Sequence, residues 1–194
     1  MPLKTTGLIL AGGLGRRMGN VDKGLVSFDG RPMIASVLDR LAPQVDELLI
    51  NANRNLDDYR GFGHRIVRDA IEGFAGPLAG LEAGLAEAAH EFIVTCPCDS
   101  PFLPLDLVVR LGQSLEEKSV DLAVAKTGAQ VHPVFCLVRR SVHRHLRNFL
   151  NSGGRKIDAW YATLKTTEVM FDDQPEAFAN INTTNELKDF ERRG

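Results

Sequence analysis

The chain has 194 residues, 44% hydrophobic and 25% charged, which is enough for one domain with a sizeable core and close to the average of soluble globular proteins. Lys plus Arg total 23 and Asp plus Glu 25, a net charge of −2, which argues against a coat for nucleic acid and against an acidic disordered chain. No apolar run approaches the roughly 20 residues that a membrane span needs. Glycine is the composition feature to follow: of 18 glycines, seven fall between Gly7 and Gly30.

In chain order, residues 6–10 form a short apolar strand followed at once by a glycine-rich loop. Residues 26–28 are extended and close on the turn Asp29-Gly30. Met33, Ile34, Val37, Leu38, Leu41 and Val45 recur at helical spacing. Residues 48–51 and 65–68 read as core strands, 76–90 as an Ala- and Leu-rich helix, 92–96 as a strand, 106–115 as a helix and 122–125 as a strand. Residues 131–138 are extended, 140–150 and 156–164 helical, and 166–171 a strand. Thr183 followed by Glu186 makes a capping box that opens a C-terminal helix. This alternation predicts an α/β layered domain, a single unit over 1–194, with a mostly parallel sheet.

Cys96, Cys98 and Cys136 are odd in number and lack CxxC spacing, so they read as small buried residues rather than a disulfide or zinc framework. The apolar stretch 7–10 is too short for a signal peptide, which gives the expectation of an unprocessed cytoplasmic chain. His143 and His145 do not share a helix face and read as solvated, and His64 and His90 read as surface residues.

Four places can carry chemistry. The loop Leu10-Ala11-Gly12-Gly13-Leu14-Gly15-Arg16-Arg17-Met18-Gly19 follows a strand, where ligands of parallel sheets bind. It lacks the Gly-Lys of a Walker A loop, and Met18 stands where a dinucleotide loop needs glycine. Within 10–24, Arg16, Arg17 and Lys23 give +3 and Asp22 gives −1, a local +2 suited to a polyphosphate. Asp99, between Pro97 and Pro101, is placed either to hold a magnesium ion or to cap a turn. Asn51 and Asp69 end predicted core strands, where they serve either as turn residues or as readers of a base or ribose. The small-residue stretch from Gly73 through Gly76 to Gly80 allows close approach, either of a flat ligand or of the sheet. His132-Pro133, at a strand start, can touch an anionic substrate.

Taken together, these blocks resemble a known family. Leu10–Gly13 through Arg17-Met18-Gly19, with Asp22-Lys23-Gly24, resembles the signature loop of nucleotidyltransferases of the nucleotide-diphospho-sugar transferase type. Asn51-Ala52-Asn53-Arg54, Gly76-Pro77-Leu78-Ala79-Gly80, Cys96-Pro97-Cys98-Asp99, His132-Pro133 and Asn180-Ile181-Asn182-Thr183 narrow the resemblance to molybdenum cofactor guanylyltransferases. Asn20 and Thr184 are small departures from that pattern. The resemblance implies a three-layer α/β/α Rossmann-like fold. It implies transfer of GMP from GTP to molybdopterin with magnesium and release of pyrophosphate.

By the same resemblance, the Leu10, Ala11, Gly12 and Gly13 backbone and Asn51 would hold guanine and ribose, with Asp69 nearby. Gly76 and Gly80 would line the base pocket, Arg17 and Lys23 would sit on the phosphates, and Asp99 would ligate magnesium. His132, Asn180 and Asn182 would lie on the molybdopterin side. The part up to about residue 100 would bind GTP and the rest would contribute the molybdopterin side. Transient contacts with cofactor synthesis or insertion proteins are expected, and no nucleic acid or membrane partner. A CTP-dependent sister enzyme, a sugar-1-phosphate nucleotidyltransferase and a non-catalytic nucleotide-binding regulator are the competing readings.

Overall fold

The computed structural model describes residues 3–13, 21–71 and 76–181. Arg17 and Asn182, residues 14–20 of the glycine loop, 73–75 and the expected C-terminal helix lie outside the described residues. The elements are β1 (Thr5–Leu10), the short pair β2 (Ser27–Phe28) and β3 (Arg31–Pro32), α1 (Met33–Leu41), β4 (Glu47–Asn51), α2 (Leu56–Arg60), β5 (Arg65–Val67), α3 (Pro77–Glu87), β6 (Phe92–Pro97), α4 (Leu107–Glu117), β7 (Leu122–Thr127), β8 (Gln130–Arg139), α5 (His143–Asn151), α6 (Ile157–Tyr161) and β9 (Thr166–Met170).

Seven strands join one sheet in the order β5-β4-β1-β6-β8-β7-β9. Every pairing is parallel except those of β8, which runs antiparallel to both β6 and β7. The exception follows from chain length. β7 and β8 are joined by a tight turn in which Gly128 takes a positive φ of 53°, too short for a parallel crossover. Parallel strands bring their C-terminal ends to one edge; the reversed β8 brings its beginning there, and with it His132.

Alternation along the strands builds the three layers. Ile9, Ile50, Val94 and Cys96 face a cluster that includes Ile34, Val37 and Leu41 of α1 and Leu107 and Leu111 of α4. Leu8, Leu49 and Ile93 face the opposite cluster, with Leu78, Leu81 and Leu85 of α3, Leu146 of α5 and Trp160 of α6. Each such fully buried aliphatic side chain contributes about 1.5–3 kcal/mol. Among the described residues no helix is long and apolar enough to cross a membrane.

Three local readings change. The periodic set 33–45 outlasts its helix: Pro43 has no N–H to continue the ladder, so α1 ends at Leu41, a 3-10 turn spans Ala42–Gln44, and Val45 is extended. α2 escaped periodicity because it is only one turn, entered from Asn55 at φ 50°. His143 is not simply solvated: its Nε2 lies 2.9 Å from Oε1 of Glu82, a side chain only 3% exposed, which ties α5 to α3. His145 is exposed and accepts a hydrogen bond from Trp160 Nε1 at 3.1 Å.

Candidate active site at the sheet edge

Where β1 ends, pairing continues outward: Ala11 N donates to Asn51 O at 2.8 Å and Cys98 N to Leu10 O at 3.2 Å. Ala52 N likewise donates to Val67 O at 3.1 Å, so the strand geometry of β4 persists past its end. Residues 51 and 53 therefore project to the same side. Both side-chain amides converge on Asp69. Asn51 Nδ2 donates to Oδ1 at 2.8 Å, and Asn53 Nδ2 donates to Oδ2 at 2.9 Å. Asn53 Oδ1 in turn accepts the Asp69 N–H at 3.0 Å, and Asn51 Nδ2 also reaches Val67 O at 3.3 Å. Asp69 is thus clamped on both oxygens and on its own backbone. An ionised carboxylate has about four acceptor sites, so each oxygen keeps capacity for a further donor.

Two glycines shape this cradle. A Cβ on Gly80 of α3 would overlap Asn51 Oδ1 and come within 2.7 Å of Leu10 Cδ2 and 2.9 Å of Asn51 Cγ. Only glycine lets α3 pack this closely on the ends of β1 and β4. Gly76 caps α3 at φ 65°, ψ −151°, a region essentially closed to other residues, before Pro77 opens the first turn. On the other side of the Asn51 amide lies Gly12, where a Cβ would stand 3.1 Å from Asn51 Oδ1 and 3.0 Å from Asn53 Nδ2. Arg54 Nη2 donates to Gly13 O at 3.1 Å and ties the start of the glycine loop to the β4–α2 segment.

Just beyond β6 is the charged half of the site. Lys23 Nζ lies 2.8 Å from Asp99 Oδ2, with side chains 22% and 10% exposed. The chain returns to this place near the C-terminus. Ile181 N donates to Asp99 O at 2.9 Å, and Ser100 Oγ donates to Asn180 Oδ1 at 2.5 Å. Ile181 itself packs with Phe28 and Met33. Among the described residues no three His, Cys, Asp or Glu side chains form a metal-binding group, so Asp99 stands as a single-carboxylate candidate.

His132 lies at the same edge, where its ring is packed. Its ring stacks on Phe178 with centroids 4.6 Å apart, and Nε2 lies 2.7 Å from Thr127 Oγ1. Burial pulls its pKa below the ordinary 6.5, so the ring is neutral at pH 7. Its tie to the Asp99 group runs through the chain, since Phe178 is two residues from Asn180. The three cysteines are free and buried, and burial pushes their thiols upward, which supports the packing reading.

The MobA-like NTP transferase domain profile matches residues 7–167. The chain belongs to this family. The molybdenum cofactor guanylyltransferase of Cupriavidus necator is 52% identical over 193 residues, covering 97% of this chain and 96% of that one. The enzyme of the same name from Shewanella putrefaciens is 48% identical over 190 residues, covering 98% and 97%. The crystal structure of molybdopterin-guanine dinucleotide biosynthesis protein A from Archaeoglobus fulgidus superposes with a TM-score of 0.80 over 97% of each chain. At 24% identity it speaks for the fold.

In this MobA-like chain, then, the geometry gathers Gly12, Asn51, Asp69 and Gly80 into one cradle and Lys23, Asp99 and Asn180 into a second group. Leu10 and Ala11 take part chiefly by extending the sheet. Asn53 and Arg54 carry no signal in the sequence beyond the Asn51–Arg54 block; the role of Asn53 follows from the two-residue repeat that carries β4 past Asn51, and that of Arg54 from its bond to Gly13. Tyr59 and Asn55, buried or set in a left-handed turn behind Lys23, gave no signal in the sequence.

Proposed function

We propose that this chain transfers GMP from GTP to molybdopterin, forming the molybdopterin guanine dinucleotide and releasing pyrophosphate. One observation carries the reading. A clamped carboxylate with spare acceptor capacity sits on the same sheet edge as a lysine–carboxylate pair, in a chain about half identical to named guanylyltransferases. Guanine presents adjacent N–H donors that match the acceptor-only carboxylate of Asp69, with Gly80 and Gly12 leaving room for a flat base. Gly76, at the start of α3, borders the same side. The Gly13 backbone completes the assignment toward guanine and ribose, and Arg17 joins Lys23 on the phosphates.

In the transfer, a terminal phosphate oxygen of molybdopterin attacks the α-phosphorus of GTP. A new P–O bond forms there as the bond to the β-phosphate oxygen breaks, and pyrophosphate carries the electron pair away. Nothing in this requires a protein nucleophile; positioning and charge neutralisation supply the rate. Lys23 acts as a point charge on the triphosphate, and Arg17 binds phosphate oxygens bidentately. Asp99 fits a magnesium ion: it is one buried carboxylate at a strand end, and magnesium takes one or two carboxylates, filling its other positions with water and phosphate oxygens. Asp99 would hold such an ion, which when bound would supply charge neutralisation on the triphosphate. Asn180, bonded to Ser100 beside Asp99, is assigned to the second substrate together with Asn182, with His132 as a neutral flank.

The test is pyrophosphate release from GTP or CTP in the presence of molybdopterin and magnesium. The expected result is turnover with GTP and little with CTP. Preference for CTP would reassign the base pocket, and binding without turnover would make the chain a regulator.

A further inference from the structure

Behind Lys23 lies a buried polar knot that the transfer reaction does not itself use. Asp22 is only 8% exposed. Its Oδ1 accepts a hydrogen bond from the Tyr59 hydroxyl, and its Oδ2 accepts one from Asn55 Nδ2 at 2.9 Å. Its carbonyl accepts Leu25 N at 3.1 Å, starting the 3-10 turn Lys23–Leu25. Tyr59 is wholly buried. Gly24 lets the turn press against it: a Cβ there would lie 2.7 Å from Tyr59 Oη and 3.3 Å from Cys98 Sγ. Consecutive side chains thus take different partners, Asp22 pairing with Tyr59 and Asn55 and Lys23 with Asp99.

We propose that Tyr59, assisted by Asn55, is a positioning residue for guanylyl transfer that acts through Asp22 to hold Lys23 on the triphosphate. The geometry favours this over a bland core contact for two reasons. First, a fully buried tyrosine can satisfy its hydroxyl on any nearby carbonyl, yet this one is spent on the carboxylate adjacent to the lysine. Burial, with Cys98 and Asp22 close by, pushes the hydroxyl far above its ordinary value, so it remains a donor. Second, both carboxylate oxygens of Asp22 are held, which fixes rotation as well as position. Asn55 and Tyr59 belong to the segment that also carries Asn51, Asn53 and Arg54. One short stretch therefore orients the base-reading carboxylate and the phosphate-binding lysine together.

This inference rests on the phosphate role of Lys23, and a double-mutant cycle separates the two claims. Tyr59→Phe, Lys23→Ala and the combined variant are compared with the full wild-type chain for kcat/KM of pyrophosphate release, for the GTP dissociation constant by equilibrium dialysis, and for the thermal midpoint. Tyr59→Phe is expected to lower kcat/KM about tenfold when Lys23 is present and less than about twofold when Lys23 is already alanine. Equal losses in both backgrounds mean a merely structural role and overturn the proposal; so does unchanged activity in Tyr59→Phe. If Tyr59→Phe does not fold, Asn55→Gly, which keeps the left-handed backbone and removes the second donor, takes its place in the same cycle. If the wild-type chain releases no pyrophosphate, the functional reading fails on its own. The same cycle read on GTP affinity then decides the anchor, with weakening confined to the Lys23 background supporting it and equal weakening or none overturning it.

Discussion

Gly80→Ala tests the base cradle most directly, because its effect can be worked from the geometry. The added Cβ would overlap Asn51 Oδ1 and approach Leu10 Cδ2 to 2.7 Å. Asn51 is 2% exposed and bonded to Asp69 and Val67, so it has nowhere to move without giving up a bond. Alanine gains about 0.8–1 kcal/mol in helix propensity, whereas overpacking costs typically 1–3 kcal/mol. A net loss of about 1 kcal/mol lowers the melting temperature by roughly 2–4 °C for a chain of this size. The larger effect is on binding. A guanine hydrogen bond to a charged group contributes about 1.5–3 kcal/mol, so an Asp69 carboxylate displaced along with Asn51 weakens GTP roughly ten- to hundredfold. Gly84→Ala is the control, one turn further along α3. Its Cβ would overlap the Leu8 side chain, 3.0 Å from Cδ1, in the apolar layer remote from the cradle. It should lose similar stability and keep GTP affinity within about twofold. Thermal denaturation and equilibrium GTP binding on both variants suffice. Gly80→Ala binding GTP as well as Gly84→Ala would refute the cradle.

Other expectations follow from the charged half and its flank. Asp99→Ala abolishes magnesium-dependent turnover, and added magnesium does not restore it; near-normal pyrophosphate release in that variant would sink the metal assignment. Lys23→Ala lowers kcat on the order of 100-fold, equivalent to about 2.7 kcal/mol, with partial recovery in Lys23→Arg. His132 is depressed by burial, so the unfolded chain takes up its proton first as pH falls. The stability it confers is complete above pH 6.5 and declines below that value, and denaturant titrations should show a shallower acid decline for His132→Gln than for the wild-type chain. An unchanged pH slope would mean that the ring titrates freely.

Much of this site is visible in the residues because strand ends announce themselves. Asn51 ends the apolar run of β4 and Asp69 stands two residues past β5, and the structure joins them at 2.8 Å. The alternation of strand and helix likewise anticipated the sheet, because each apolar run is long enough to bury one layer. What escaped is what periodicity cannot encode. The reversal of β8 depends on a two-residue connection rather than on the strand's composition. α2 has too few residues to show a period, yet it supplies Tyr59. The convergence of Asn53 on Asp69 depends on β4 keeping its strand geometry past Asn51, where the apolar pattern has already stopped. The return of residues 180 and 181 to Asp99 is a contact across some 80 positions, which local pattern cannot carry.

In space Asp22 and Lys23 do not simply offset each other. Counted along the chain, Asp22 offsets one of three cations in the segment 10–24 and leaves +2. In space its carboxylate is taken up by Tyr59 and Asn55, one donor on each oxygen. The carboxylate that Lys23 actually meets is Asp99, just beyond β6. One acid is buried to hold a lysine in place; another is set opposite it at the edge, where a polyphosphate and its counter-ion can compete for both partners. A pairing that is partly buried but still reachable is held firmly enough to be oriented and weakly enough to be exchanged, which is what a site that must bind and release charged substrates requires.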